Sequence, residues 1–335
     1  RSYPPVLEML ESNTNKALFA EYADDVPRHL AQLEAANGIS VQLIDMQPEI
    51  KWYMRPYLLD FLSETHYSLR LQPQTYFLAW SIIDRYCSKR VVFKKHYQLV
   101  GCTALLIAAK YEDKKSRVPT LQDLVHLTRQ TYDETMFMQM ERHILTTLEW
   151  SLGQPTYEEC LQLAISTSVD FNQLTPVKKH RPNGESMLTS LTEMGRFFCE
   201  IALYDKSFLH FPVSLVAIAA NSLASQMLDI PSTAARLQHI IAHFYLQSAR
   251  DSYTHDDEFF FEDEENCAPR VTGAFLSGFN EDALLSIKKI TLLFMTSLTS
   301  VSEFVQRKYQ ELGVCQVINQ YIHRNAFLLK PVLET

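Results

Sequence analysis

The run from Leu99 to Ala109 carries no charge and mixes small residues (Gly101, Cys102, Thr103, Ala104, Ala108, Ala109) with Leu105, Leu106 and Ile107. Read as a helix, it has no polar side to turn toward water. Such a helix must be surrounded on every side by other elements. At roughly 15 residues it falls short of the ~20 needed to cross a bilayer. It is therefore read as the central helix of a bundle, its small residues letting neighbours approach closely. A second run, from Pro212 to Leu228, repeats the chemistry with Val213, Ala217, Ala219, Ala220 and Ala224. Only 8 glycines occur in 335 residues, which suits helices and leaves little material for glycine-rich phosphate loops or hairpins. The expected fold is all-α: two tandem five-helix bundles, each built around one uncharged helix, with an N-terminal helix.

Periodicity and caps divide the chain further. Leu18, Tyr22, Val26, Leu30 and Leu33 predict one amphipathic helix over 17–36, stopped by Asn37-Gly38. Residues 1–50 are thus an N-terminal helix and connector. Residues 51–153 form a first bundle, with helices over 54–69, from Pro73 to about Lys89 and over 96–111. Thr120 with Asp123, and Thr131 with Glu134, read as capping boxes, the second opening a helix through Trp150. Residues 154–335 form the second bundle. Its helices are expected near 156–167, 186–203, 212–228, 231–248, 280–298 and 300–311, with a polar loop over 172–185. The segment 251–265 holds eight acids and no Lys or Arg, and is read with its flank to about 270 as a disordered acidic insertion. It encloses Phe259-Phe260-Phe261, a docking peptide or a solvated insertion.

Chemistry is bounded mostly by exclusion. The net charge is -8, and outside the acidic segment acids and bases balance, which gives no basic footprint for nucleic acid. No uncharged apolar run reaches membrane-spanning length, and the opening residues do not read as a signal peptide. The six cysteines form no C-x-x-C and several lie in apolar runs, where a thiol is a small hydrophobe of a reducing compartment. No nucleophile elbow, Walker loop or zinc-protease motif occurs, and no catalytic residue, metal or cofactor is expected. Arg55 and Asp84 lie on consecutive helices and read first as a structural ion pair. Lys110 closes the uncharged helix, where a cation complements the helix dipole. Glu141 sits mid-helix beside Arg142, as a solvated residue would. Spacing alone assigns neither of these two a partner.

Met54-Arg55-Pro56-Tyr57-Leu58-Leu59-Asp60-Phe61-Leu62 resembles the first-helix signature of the cyclin box. Ile83-Asp84-Arg85-Tyr86, Gln98-Leu99-Val100-Gly101, Ala108-Ala109-Lys110-Tyr111-Glu112 and Met140-Glu141-Arg142-His143 follow in cyclin order. The run from Asp84 to Val92 is most similar to fungal G1 cyclins of the Cln group. The resemblance is specific over about 20–155 and weaker over 186–230. It implies a non-catalytic, activating subunit of a cyclin-dependent kinase in G1/S control. It implies kinase-binding roles for Lys110, Glu141, Tyr111, Arg142, Leu145 and Val26, and an internal pair for Arg55 and Asp84. It also implies a substrate-docking groove of Met54, Tyr57, Leu58, Phe61, Glu64 and Gln98. Phe61 replaces the usual Trp, Tyr57 an aliphatic residue and Pro56 an Ala. That departure points away from the basic Arg-x-Leu docking peptide, and the resemblance to the Cln group implies Leu/Pro-rich docking peptides instead. Lys178-Lys179-His180-Arg181 fits residence in nucleus and cytoplasm. Other readings are a transcription-associated cyclin, a two-cyclin-fold transcription-factor core, or a helical scaffold with no kinase partner.

Overall fold

The computed structural model describes residues 5–22, 25–36, 38–168, 186–230 and 281–325, which are helical with no β-strand among them. The expected loop over 172–185, the helix near 231–248 and the acidic insertion fall outside these residues, as does the basic run 178–181. The N-terminal helix differs from the sequence reading. It is two helices, α1 (Pro5–Glu21) and α2 (Asp25–Ala36). Pro27 gives the physical reason, because inside one continuous helix it would lack its amide donor and clash with the preceding turn. The chain instead restarts at Asp25, which pairs with Arg28 at 3.1 Å and places Pro27 in a first turn. A short α3 (Val41–Asp45) follows, capped by Ser40, whose hydroxyl accepts from the Leu43 amide.

The first bundle comprises α4 (Arg55–Ser68), α5 (Pro73–Cys87), α6 (Tyr97–Glu112), α7 (Leu121–Leu127) and α8 (Glu134–Thr147). Pro56 sits in the first turn of α4, where a missing amide donor costs nothing. Helix α6 is the uncharged one, and every residue from Leu99 to Ala109 is buried. Gly101 is what admits α4: a Cβ there would lie 2.9 Å from Leu58 Cδ1. The Thr120–Asp123 capping box forms in both directions. The one expected at Thr131 does not. Arg129 and Gln130 adopt left-handed φ of 51° and 58°, Tyr132 is buried, and the cap falls to Asp133, whose carboxylate accepts from the Met136 amide. Helix α8 also ends earlier than expected, because Glu149 and Trp150 take left-handed φ of 54° and 58°.

The second bundle contains α9 (Tyr157–Ser168), α10 (Met187–Ala202), α11 (Val213–Met227), α12 (Glu281–Ser297), α13 (Glu303–Glu311) and α14 (Val314–Arg324). Helix α11 is the counterpart of α6, with Val216, Ala217, Ala219, Ala220 and Ala224 fully buried. Gly195 plays the part of Gly101, a Cβ there lying 2.7 Å from Leu161 Cδ1. Helix α14 was not anticipated. Its signal is Gly313, at φ 71°, followed by Val314, Val317, Ile318 and Tyr321 at helical spacing. Polar bonds join the bundles along α4. Arg55 Nε donates to the Leu203 carbonyl at 2.6 Å. Asp60 accepts from Tyr204 at 2.6 Å and Ser302 at 2.7 Å. Buried Glu200 accepts from Ser63 at 3.0 Å and from Lys308 at 2.9 Å.

Candidate functional site

Two surfaces gather the residues singled out in the sequence. The first is where the end of α6 meets the middle of α8. Lys110 Nζ lies 2.5 Å from Glu141 Oε1, with side-chain exposures of 47% and 18%. A pair this open contributes only about 0–1 kcal/mol to folding. Its significance is therefore what it displays: opposite charges side by side, at a fixed spacing, on rigid elements. Met138, Glu141, Arg142 and Leu145 follow one stripe of α8 at i, i+3, i+4 and i+7. Tyr111 (54% exposed), Met138 and Arg142 surround the pair with solvent-facing surface. Leu145 does not belong to that surface: at 8% exposure it closes the core beneath it. Val26 is exposed on α2, but α2 is anchored elsewhere, Glu34 accepting from the Ser214 amide at 2.9 Å and its hydroxyl at 2.7 Å.

The sequence reading missed Trp150, an indole 68% exposed just past α8. Buried Arg85 braces that turn by donating to the Ser151 carbonyl at 2.8 Å. Nearby, a Cβ on Gly153 would meet the Tyr111 hydroxyl at 2.9 Å, so the turn and Tyr111 are neighbours. The available signal was a large aromatic between Glu149 and Ser151 in the connector after α8.

The second surface is α4. Its expected groove residues separate into three groups. Tyr57, 75% exposed, and half-buried Phe61 face a groove of about 1010 Å³ between α4 and the second bundle, with Trp52, Tyr204, Val301 and Phe304. Phe61 and Glu64 also border a groove of about 640 Å³ on the other flank, with Gln98 and Arg129. Leu58 and Met54 line neither. Leu58, at 6% exposure, packs on Gly101, because position 58 of α4 points at α6; Met54 packs partly buried against the core. The walls from Tyr204, Val301 and Phe304 lie over 140 residues away in sequence, and no local pattern announces them.

Arg55 and Asp84 are internal, each side chain at most 5% exposed. Arg55 makes two bonds to the Asp84 carboxylate, at 2.5 and 2.8 Å, and stacks over Trp80 at 4.5 Å. Burial alone would lower the guanidinium pKa, but the Asp84 charge outweighs it and holds it above its ordinary value. Burial pushes the Cys87 and Cys102 thiols up to about 12, the opposite of what a nucleophile needs.

The bundle pair and its buried Arg–Asp link define a two-box helical protein. Family models agree: the cyclin N-terminal domain matches residues 25–153 and the cyclin C-terminal domain residues 167–255, together more than half the chain. The chain belongs to the cyclin family. It is 44% identical, over 404 aligned residues, to the G1/S-specific cyclin CCN1 of Candida albicans, an alignment covering 100% of this chain and 58% of that relative. The G1/S-specific cyclin CLN2 of Candida albicans is 38% identical over 221 residues, 65% of this chain and 47% of the relative. This chain thus spans under two thirds of the length of these relatives. Among solved structures, a viral cyclin from herpesvirus saimiri superposes with a TM-score of 0.54 at 15% identity, covering 81% of this chain and 97% of that one.

Proposed function

We propose that this cyclin is the activating, non-catalytic subunit of a cyclin-dependent kinase acting at G1/S, and that Lys110 and Glu141 are its primary kinase contacts. The observation that carries the reading is the solvent-facing Lys110–Glu141 pair, with exposed Tyr111 next to Lys110 on α6 and exposed Met138 one turn before Glu141 on α8. Kinase activity requires the αC glutamate to pair with the β3 lysine, so a rigid face that holds αC inward switches the enzyme on. Apolar side chains around two opposite charges supply affinity and register for that task. The two relatives described as G1/S-specific support the timing. Arg142 belongs to the same face and exposed Val26 is a secondary contact, while buried Leu145 supports the face from the core. The test is co-purification of a cyclin-dependent kinase with Lys110→Ala/Glu141→Ala. Losing partners of interfacial charges costs about 2–5 kcal/mol each. Undiminished recovery of the kinase by a folded double variant overturns the site.

The groove between α4 and the second bundle is the substrate-docking site in this reading. Its walls of Trp52, Tyr57, Phe61, Tyr204 and Phe304, beside Pro56, suit an extended Leu/Pro-rich peptide, since aromatic-lined grooves hold polyproline-type segments. Activity in nucleus and cytoplasm completes the proposal, and localisation of a tagged chain tests it.

A further inference from the structure

A third surface lies at the far end of α6, about 20 Å from Lys110 at 1.5 Å per residue. It begins with Gln47, only 4% exposed, whose side-chain amide is fully used. Its nitrogen donates to the carbonyls of Cys87 and Arg90, both at 2.7 Å, and its oxygen accepts from the Val92 amide at 3.0 Å. The Lys94 amide donates to Glu49 at 2.8 Å. These bonds strap the connector between α5 and α6 onto the end of α3. Val92 is buried beneath the strap, and Val91 (61% exposed) and Phe93 (49%) flank it, on the outward side of an extended segment. Leu43 (50%) and Met46 (75%) are exposed at i and i+3 on α3 and its cap, the element to which the strap is tied. Four large exposed apolar side chains thus lie on two segments that these bonds hold together, the kind of exposed apolar surface that marks interaction sites. Four exposed cations, Lys89, Arg90, Lys94 and Lys95, stand on the connector, none in a salt bridge among the described residues; of the two exposed carboxylates on the α3 side, Asp45 is paired with Lys206 and Glu49 is engaged by the Lys94 amide.

We infer that this patch is a docking surface for an acidic segment of a partner protein, one that inserts aromatic or aliphatic anchors between Met46, Val91 and Phe93. The carboxylates of such a segment meet the four cations, and its apolar anchors cover the centre. Charge complementarity selects this occupant over a second copy of the chain, whose own patch would bring like charges together. The surface is separate from Lys110 and Glu141, so both can be occupied at once.

The probe is a fluorescein-labelled peptide, Asp-Asp-Glu-Phe-Phe-Phe-Glu-Asp-Glu-Glu, titrated against the full chain by anisotropy. Saturable binding that weakens about tenfold in Lys94→Glu/Lys95→Glu, and again in Met46→Ser/Val91→Ser, supports the inference. All four positions are exposed, so the variants fold, which circular dichroism checks. Binding should fall as salt rises and stay unchanged in Lys110→Ala. No binding, or equal binding by the charge-reversed variant, overturns it. The probe reproduces residues 256–265. If a chain lacking 251–265 binds it at least tenfold tighter than the full chain, the occupant is the chain's own segment and the partner assignment falls. Dimers of the free chain that dissociate in Met46→Ser/Val91→Ser would likewise overturn it in favour of self-association.

Discussion

Replacing Arg55 by Met should destabilise the protein severely, while also replacing Asp84 by Leu should restore most of the loss. In the single variant Asp84 keeps its charge in a site 3% exposed and loses both guanidinium bonds. Breaking a buried pair in this way costs about 3–5 kcal/mol. The Leu203 carbonyl also loses its donor, a further loss of about 1–3 kcal/mol. Arg55→Met/Asp84→Leu removes the stranded charge, and an apolar pair of similar volume is close to neutral. Only the bare Leu203 carbonyl remains, so the double variant should sit about 1–3 kcal/mol below the parent, well above the single one. Urea unfolding followed by circular dichroism measures both, with slopes compared to confirm a common unfolded state. A single-variant loss under about 1 kcal/mol, or a double variant no better than the single, would refute the internal pair. The double variant should also bind the proposed kinase partner as the parent does, since neither residue reaches the surface.

Leu58→Ala should cost about 2–5 kcal/mol, as a core deletion does; a thermally unaffected variant would return Leu58 to a docking surface. Tyr57→Ala/Phe304→Ala should leave kinase activity on a short generic peptide intact and slow phosphorylation of a substrate with a Leu/Pro-rich docking segment; equal loss on both would show these rings to be structural. His66, 8% exposed, is bonded through Nε2 to the Gln72 carbonyl at 2.8 Å, and burial lowers its pKa from the ordinary 6.5. The folded state therefore resists a proton that the unfolded chain accepts, so stability is complete above about pH 6.5 and is lost as pH falls below it. His66→Gln should flatten the change in melting temperature between about pH 7.5 and 5.5, and an unaltered slope would contradict the assignment.

What could be read from the residues divides along physical lines. The uncharged run 99–109 announced a surrounded helix, because no other environment accepts it, and α6 is that helix. Local capping chemistry was readable where both partners were free, as at Thr120–Asp123. It misled at Thr131, where the burial of Tyr132, whose hydroxyl reaches the Lys95 carbonyl at 2.7 Å, decides where the helix begins. The Pro27 break needed only the proline rule, but the hydrophobic repeat across it hid the break. For the site, Lys110 and Glu141 were placed by a resemblance, and spacing never showed that they touch. The groove was half visible: Tyr57 and Phe61 share a helix face, but Tyr204 and Phe304 come from the other bundle. Leu58 and Leu145 sat on the right elements with the wrong orientation, since a one-position turn on a helix decides between groove and core.

The central claim concerns Lys110 and Glu141, and exchanging their charges tests it. Lys110→Glu/Glu141→Lys keeps an ion pair between α6 and α8 at the same place, so the fold and melting temperature should hold. If the pair faces a kinase, the swap sets each charge against the wrong partner, and affinity measured by calorimetry with the purified cyclin-dependent kinase should fall at least about 100-fold, as mispaired interfacial charges cost several kcal/mol. Full affinity in the swapped protein would mean that Lys110 and Glu141 serve only each other.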